Sequence, residues 1–227
     1  MAAREIGLVA FDWGGVLIRI CRSLGEACTR VGIEHREVAA HPELRVSRQE
    51  LSGRYQLGEM GCDAYFAAAA ERTGGAYSEA EIRAIHDAWL IGEYDGVSDL
   101  IDEIHAAGVK TGLLSNTNAS HAARQASRVE DGSLEFPAPS KLGVRAMSHE
   151  LKVAKPEAGI YEAAAEMYGF AGREGELLFF DDLEENIEAA RRLGWKAELI
   201  DHTGDTAAQM RAKLVTSGVL ASRRNGL

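Results

Sequence analysis

Acidic, hydroxyl and amide side chains follow three apolar runs of the chain, each at the point where a predicted strand ends. Asp12 comes directly after IGLVAF, Ser115 and Asn116 end the run VKTGLLSN, and Asp181 and Asp182 follow LLFF. Ligands of open parallel sheets bind outside the carboxyl ends of the strands, so we expect these groups to converge in one crevice. Carboxylates, a hydroxyl and an amide gathered there could bind a ligand or act on it.

Asp12 also poses a charge problem, because a lone carboxylate at the end of a buried strand costs free energy unless a partner compensates it. Lys155, in KVAKPE, precedes a predicted helix and could reach the same crevice. Taken singly, the acids could be helix or turn caps, Ser115-Asn116 could be turn residues, and Lys155 could be a solvated lysine. Their occurrence in order, on three strand ends and one helix start, favours a functional site.

The elements that would position these residues alternate between strand and helix. Short apolar or β-branched runs predict five buried strands: Ile6–Phe11, Val109–Leu114, Val144–Met147, Leu177–Phe180 and Lys196–Ile200. Helical spacing of apolar residues predicts helices between the later strands: Val97–Ala107, Pro156–Tyr168 and Asn186–Leu193,. This alternation predicts an α/β fold with a parallel sheet, covered on both faces, whose first strand is central.

The segment between the first two predicted strands shows helical patterns only. They cover Ser23–Val31, Arg48–Leu57, Ala64–Arg72 and Ala80–Trp89. We therefore predict an all-α cap over residues 20–93, inserted into a core formed by residues 1–19 and 94–227. Residues 131–143, with two prolines, are expected to form the longest irregular connection.

Composition narrows the class of protein. The 227 residues are 46% hydrophobic and 26% charged, which is ordinary for a globular domain, and the formal net charge is −10,. That excess of acid argues against broad binding to nucleic acid or anionic membranes, although one metal ion and one lysine could still attract a small anionic substrate.

The cysteine pattern and the hydropathy suggest where the protein works. Cys21, Cys28 and Cys62 match no zinc or disulfide spacing and are expected to be free thiols,. The first residues meet charge too early for a signal peptide, and no apolar run has membrane-spanning length. A cytoplasmic location is expected, and nothing in the sequence assigns an oligomeric state.

Four motifs in their order of occurrence, FDWGGVL, LLSNTN, AKPE and FFDDLEEN, resemble those of the haloacid dehalogenase-like (HAD) hydrolase superfamily. The helical insertion after the first motif resembles the cap of one of its subfamilies. The resemblance is strongest to bacterial phosphatases that act on α-glucose 1-phosphate, and it covers nearly the whole chain. It implies a Rossmann-like parallel sheet with an inserted helical cap, and hydrolysis of a small phosphate ester.

The resemblance also implies roles for the candidate residues. Asp12 would attack phosphorus and form an aspartyl-phosphate. Magnesium would be held by the Asp12 carboxylate, the Gly14 carbonyl and Asp182, with Asp181 further from the ion. Ser115 and backbone N–H groups near Asn116 would hold phosphoryl oxygens, and Lys155 would stabilise the negative charge that accumulates.

Gly14 departs from the pattern of most phosphatases in the superfamily, which carry there a second Asp that protonates the leaving alkoxide and activates water. A general acid typically contributes about 10²–10⁴-fold in rate. The chain could be a phosphatase whose acid comes from the cap, from metal-bound water or from the substrate. It could instead be a carbon–halogen hydrolase, since halide leaves without a proton, or a non-catalytic binding or regulatory protein.

Four further residues have open assignments. Trp13 could line the crevice or pack against the cap. Arg22, Arg54 and His86 could contact a polar substrate or could be solvated surface residues.

Overall fold

The computed structural model describes residues 6–37 and 41–222, and seven strands lie in these ranges. The strands are β1 (Leu8–Phe11), β2 (Ile18–Ile20), β3 (Leu90–Glu93), β4 (Lys110–Ser115), β5 (Val144–Met147), β6 (Leu177–Asp181) and β7 (Lys196–Leu199). Five of them form a parallel sheet in the order β5-β4-β1-β6-β7. The predicted α/β fold, its five strands and the central position of the first strand are therefore confirmed.

Helices connect these strands. They are α1 (Leu24–Arg30), α2 (Pro42–Gln56), α3 (Cys62–Glu71), α4 (Glu79–Asp87), α5 (Val97–Ala106), α6 (Ala119–Arg124), α7 (Pro137–Lys141), α8 (Ser148–Leu151), α9 (Ala158–Tyr168), α10 (Glu184–Arg192) and α11 (Thr206–Thr216). Among these residues no helix combines the length and the apolar character that crossing a membrane requires.

The two faces of the sheet belong to different hydrophobic clusters, because successive side chains of a strand point to opposite faces. Val9 and Phe11 of β1 pack with residues of α5 and α11, whereas Leu8 and Ala10 pack with residues of α9 and α10. All four are buried. Burial on both faces explains why the central strands β1 and β6 appear in the sequence as largely continuous apolar runs,.

Along the chain, helices α1–α4 come between β2 and β3. These two strands form a second, two-stranded sheet. In it β2 pairs antiparallel with β3, and Ile18 is the register partner of Glu93. The prediction of helices only over residues 20–93 is wrong at the end of this segment, where β3 is a strand. The helices bury a cluster of their own around Leu51, Tyr55 and Phe66. That separate cluster supports the proposed division into a cap and a core, which stays a prediction.

In the α/β part, the observed elements differ from the predicted ones at three places, each for a local reason. Helix α9 begins at Ala158 rather than Pro156, with Glu157 as its N-cap. Residues 131–143 are not wholly irregular, because Pro137 begins the short helix α7. Helix α11, which the sequence analysis missed, begins after Asp205, whose side chain accepts a hydrogen bond from the Ala208 N–H. Cys21, Cys28 and Cys62 are free thiols, as predicted.

Candidate active site

The polar strand ends converge on Lys155. Its Nζ lies 2.8 Å from Asp12 Oδ1 and 2.6 Å from Asp181 Oδ2, and it donates a hydrogen bond to the Leu114 carbonyl at 3.0 Å. Asp12 follows β1, while Leu114 and Asp181 belong to the neighbouring strands β4 and β6. The charge partner that a buried Asp12 required is therefore a lysine with only 1% of its side chain exposed.

Asn116 holds the backbone of Lys155. Its Nδ2 donates to the Lys155 carbonyl at 2.8 Å, and its Oδ1 accepts from the Lys155 N–H at 2.8 Å. Both polar atoms of the amide are thus engaged within the protein. The part of Asn116 that remains for a ligand is its backbone.

Asp181 is fully buried and its oxygens are shared among three donors. Oδ2 faces Lys155, while Oδ1 accepts hydrogen bonds from the Leu183 N–H at 2.9 Å and from Asn186 Nδ2 at 3.0 Å. Asn186 lies in the FFDDLEEN motif but was not singled out as a site residue. These contacts suit Asp181 to positioning Lys155 rather than to binding a ligand directly.

The electrostatics of this group follow from burial and from the shared lysine. Burial, opposed by the Lys155 charge and reinforced by Asp181, raises the pKa of Asp12 to about 6. Burial alone would lower the pKa of Lys155, but the two carboxylates outweigh it and raise that pKa above its ordinary value. Lys155 is therefore protonated at neutral pH.

The donor set beside Lys155 fits a hard cation. One oxygen from each of Asp12, Asp181 and Asp182 lies within 4.8 Å of the others. Asp182 Oδ2 is buried and forms an ion pair with Arg22 Nη1 at 2.9 Å. Clustered carboxylate oxygens are the ligands that Mg²⁺ prefers. Because Asp181 is engaged by three donors, Asp12 and Asp182 are the better-placed ligands.

Gly15 makes the close packing of this turn possible. Its φ of +86° lies in the left-handed region, and a Cβ placed on it would overlap the Asp182 carboxylate,. Gly14, by contrast, does not have a positive φ, and its Cβ would lie 3.0 Å from Ile20 Cδ1. The backbone conformation that favours glycine is therefore found at Gly15 and not at Gly14.

A cavity of about 320 Å³ adjoins this site, and Asp12, Lys155 and Asp182 are not among its lining residues. Gly14, Ser115 and Asn116 line it from the sheet edge, and Tyr55 and His86 line it from the helical segment. It lies where the sheet edge meets helices α2 and α4.

The four residues with open assignments have distinct positions. Trp13 lines this cavity and packs edge-on against Phe136 of the α/β core, with ring centroids 5.7 Å apart. His86 lines it from α4, Arg22 contacts Asp182, and Arg54 forms an exposed ion pair with Glu59.

His86 stacks on His121 of α6, with ring centroids 3.9 Å apart. His121 Nε2–H donates to the His86 carbonyl at 2.9 Å, which fixes the tautomer of His121. Burial is the main cause that lowers the pKa of His86 to about 3 and that of His121 to about 4. Both rings are therefore neutral at neutral pH.

The parallel sheet with acids and a lysine at its carboxyl edge defines an α/β protein of the Rossmann-like class. The model of the haloacid dehalogenase-like hydrolase family matches residues 6–194. The chain therefore belongs to this family, and the resemblance found in its four motifs is confirmed.

Individual relatives cover different shares of the chain. The phosphatase MT3486 of Mycobacterium tuberculosis is 31% identical over 113 residues, which is 50% of this chain and 48% of that one. The chain thus spans about half the length of this curated relative.

Solved structures share the fold. A HAD family enzyme of Bacteroides thetaiotaomicron, in complex with magnesium and inorganic phosphate, is similar with a TM-score of 0.73 at 23% identity, covering 88% of this chain and 97% of that one. An L-2-haloacid dehalogenase of Xanthobacter autotrophicus gives a TM-score of 0.58 at 18% identity, covering 96% of this chain and 85% of that one.

Proposed function

We propose that the protein is a magnesium-dependent phosphatase that hydrolyses small phosphomonoesters through an aspartyl-phosphate. The observation that carries this proposal is the group formed by Asp12, Lys155 and Asp181, with the Asp182 carboxylate clustered beside it. The magnesium and phosphate bound by the structural relative, and the name of the curated relative, agree with it.

In the first step, an Asp12 carboxylate oxygen forms a bond to phosphorus while the bond from phosphorus to the ester oxygen breaks. The leaving alkoxide takes a proton and departs as an alcohol. In the second step, water attacks the aspartyl-phosphate, inorganic phosphate leaves and the Asp12 carboxylate is restored. The charge of Lys155 favours the extra negative charge that develops near Asp12 in both steps.

The remaining residues orient the phosphoryl group. Ser115, at the end of β4, lines the cavity and would donate its hydroxyl to a phosphoryl oxygen, together with backbone N–H groups near Asn116,. The Asn116 side chain positions Lys155. Asp12, Asp182 and the Gly14 carbonyl would hold the magnesium ion, which supplies charge neutralisation for the approach of two anions.

The residues described so far do not include a donor for the proton that the leaving alkoxide takes up. Apart from the Asp12, Lys155, Asp181 and Asp182 group, which does not line it, the adjoining cavity of about 320 Å³ has no Asp, Glu, Lys or Arg in its lining among residues 6–37 and 41–222. Its ionisable side chains are tyrosines and histidines, and the low pKa of His86 makes a protonated imidazole scarce at neutral pH. We infer that the enzyme prefers substrates whose leaving group needs little protonation. The anomeric oxygen of a sugar 1-phosphate is such a leaving group.

Two buried donors or acceptors also support a hydroxylated substrate such as a sugar phosphate. Trp13 Nε1 and His86 Nε2 have no hydrogen-bond partner within the described residues, and both residues line the cavity. Substrate hydroxyls would satisfy them, and unsatisfied buried polar groups are costly.

The carbon–halogen hydrolase and the non-catalytic protein remain the alternatives. A dehalogenase of this fold needs no metal, so the clustering of Asp182 with Asp12 and Asp181 as potential metal ligands favours the phosphatase. The non-catalytic alternative predicts ligand binding without turnover.

The test is a screen of phosphomonoesters with and without magnesium, including sugar 1-phosphates and an aryl phosphate. We expect magnesium-dependent release of phosphate that Asp12→Asn abolishes and that Arg54→Gln, a change at an exposed ion pair, leaves unchanged. Release of halide from a 2-haloacid, or no turnover that depends on Asp12, would contradict the proposal.

A further inference from the structure

Ser148 joins three segments of the chain through one buried hydroxyl. It follows β5 directly, and because the register of β5 with β4 sets Met147 against Ser115, Ser148 lies beside the loop that follows β4. Its side chain is fully buried. Its Oγ accepts a hydrogen bond from the Thr117 N–H at 3.0 Å and lies 2.8 Å from the Gln56 carbonyl oxygen and 2.9 Å from the Thr117 carbonyl oxygen. One side chain thus contacts both the loop after β4 and the end of helix α2.

The hydroxyl of Ser148 has two acceptors for a single proton, because a serine side chain carries one O–H. The Gln56 carbonyl belongs to the last residue of α2, where carbonyls lack partners within the helix,. The Thr117 carbonyl belongs to the loop after β4. The hydroxyl can therefore turn from Gln56 to Thr117 and still donate, whereas the hydrogen bond that it accepts from the Thr117 N–H is the same in both orientations. The contact with the loop is thus the invariant one.

The loop fixed by Ser148 is connected to the reacting centre by direct contacts. The side chain of Asn116 binds both backbone polar atoms of Lys155, and Lys155 Nζ lies 2.8 Å from Asp12 Oδ1. Because a peptide group is planar, fixing the Thr117 N–H also fixes the direction of the Asn116 carbonyl. Asn116 is therefore held by its side chain on one side and by its peptide bond to Thr117 on the other. Together these contacts set the orientation of the Asn116 N–H.

Lys152 joins the same two elements without touching this loop. Its Nζ donates to the Gly58 carbonyl at 2.7 Å and to the His149 carbonyl at 2.9 Å, and the residue is exposed. A Cβ on Gly58 would overlap the His149 carbonyl, so the turn after α2 packs closely against α8. A change at Lys152 therefore removes a contact between α8 and the end of α2 and leaves Thr117 in place.

We propose that Ser148 is a positioning residue, whose hydroxyl holds the loop after Ser115 in the conformation that binds a phosphoryl oxygen. It acts through Thr117 and does not itself touch the substrate. The inference rests on the proposed function, because it takes the Ser115 hydroxyl and the Asn116 N–H to hold the phosphoryl group.

Titration calorimetry of the full chain with inorganic phosphate, in the presence of magnesium, tests the proposal without turnover. We expect Ser148→Ala to raise the dissociation constant about tenfold, as the loss of one orienting hydrogen bond implies, with the stoichiometry unchanged. A role in stability alone would do the reverse, because loss of folded protein lowers the stoichiometry and leaves the dissociation constant of the remaining protein unchanged. Lys152→Met is the matched control and should leave the dissociation constant unchanged.

Amide hydrogen exchange measures the loop itself. We expect the Thr117 amide to exchange at least about tenfold faster in Ser148→Ala, while the amides of β1 and β6 keep their rates. Ser148→Cys has nearly the size of serine and is a weaker hydrogen-bonding group. It should change both readouts in the same direction by a smaller factor, and it serves as the test if Ser148→Ala fails to fold.

Two results would overturn the proposal. One is that the variants of Ser148 leave the phosphate affinity and the exchange of the Thr117 amide as they are in the wild type. The other is an equal loss of affinity in Ser148→Ala and Lys152→Met, which would assign the effect to the contact with α2 rather than to the loop. Absence of turnover, with these two readouts as expected, would contradict the proposed function alone, so either proposal can fail while the other stands.

Discussion

Lys155 carries one positive charge between the buried carboxylates of Asp12 and Asp181, so its contribution to stability and its contribution to catalysis come from the same contacts. Removing one partner of a buried ionic group leaves the other charges uncompensated, which is far more costly than losing a surface pair. The same charge is the one that would favour phosphoryl transfer to Asp12.

We therefore predict that Lys155→Met lowers the free energy of unfolding by about 3–5 kcal/mol and abolishes turnover. Urea denaturation at neutral pH measures the first effect. Lys141→Met, which removes an ion pair with the more exposed Asp102, is the control and should cost about 1 kcal/mol or less,. Equal losses in the two variants would show that Lys155 does not hold the carboxylates together.

Gly14 and Gly15 are adjacent but tolerate different changes. A side chain at Gly14 meets only the flexible end of Ile20, whereas a side chain at Gly15 would overlap Asp182 and require a strained backbone,. An acid can therefore be introduced at Gly14 without disrupting the turn.

We predict that the wild-type rate rises steeply as the leaving group becomes less basic, because the side chain at position 14 that would donate a proton is missing. Gly14→Asp should flatten this dependence, with the gain largest for alkyl phosphates and within the roughly 10²–10⁴-fold range of general acid catalysis. Gly14→Asn is the matched control, since it has the same size and cannot transfer the proton. A series of aryl and alkyl phosphates measures the slope, and a flat wild-type slope limited by chemistry would contradict the prediction.

At the scale of elements, helix α4 meets helix α6 through the stacked rings of His86 and His121. The folded protein keeps both rings neutral, with pKa values of about 3 and about 4. The unfolded chain takes up protons near the ordinary histidine pKa of about 6.5. Stability from this pair is therefore present above that pH and is lost as the pH falls below it.

We predict that replacing both rings, as His86→Gln with His121→Asn, reduces the pH dependence of stability. Between about pH 7 and about pH 5 the wild type should lose on the order of 4 kcal/mol more than the variant, about 2 kcal/mol for each ring. The raised pKa of Asp12 acts in the opposite direction, but it is present in both proteins and cancels in the difference. Urea titrations at the two pH values measure this difference, and parallel losses would show that the rings are not buried as neutral groups.

The sequence predicted elements well where a periodic pattern is long or a buried strand is continuous. The central strands β1 and β6 were predicted because they are buried throughout and largely apolar, whereas the edge strands β5 and β7 were predicted from short runs that include charged residues. The strands β2 and β3 were missed because they have only three and four residues, with few buried positions and an exposed Arg19. Helix α11 was missed because its buried Met210 and Leu214 are too few to stand out from its polar residues.

The candidate site was predicted from strand ends, and the structure brings Asp12, Lys155, Asp181 and Asp182 together. Two features could not be found in this way. The amide of Asn116 is used by the Lys155 backbone, and the pairing of Arg22 with Asp182 joins residues 160 positions apart. Both depend on tertiary contacts between side chains, which a pattern of residue types does not determine.

At the scale of the whole molecule, the acids of the site lie where three distant parts of the chain meet. These parts are the first strand, the fourth motif and the beginning of the helical segment. Asp12 follows β1, Asp182 follows β6, and Arg22, which contacts Asp182, lies between β2 and α1. An ion that links Asp12 to Asp182 would therefore stabilise contacts among distant parts of the chain. A ligand that binds only the folded state raises its stability by mass action.

We predict that magnesium at about 100 times its dissociation constant raises the free energy of unfolding by about 2.7 kcal/mol and the Tm by roughly 5–10 °C. Asp182→Asn should abolish most of this shift while the metal-free variant stays folded. Arg22→Gln should keep the shift and lower the magnesium concentration at its midpoint, because the guanidinium that competes for Asp182 Oδ2 is gone. Arg54→Gln serves as the control for the loss of an arginine. Thermal unfolding over a magnesium titration measures all four proteins, and an unchanged midpoint in Asp182→Asn would show that Asp182 is not a ligand.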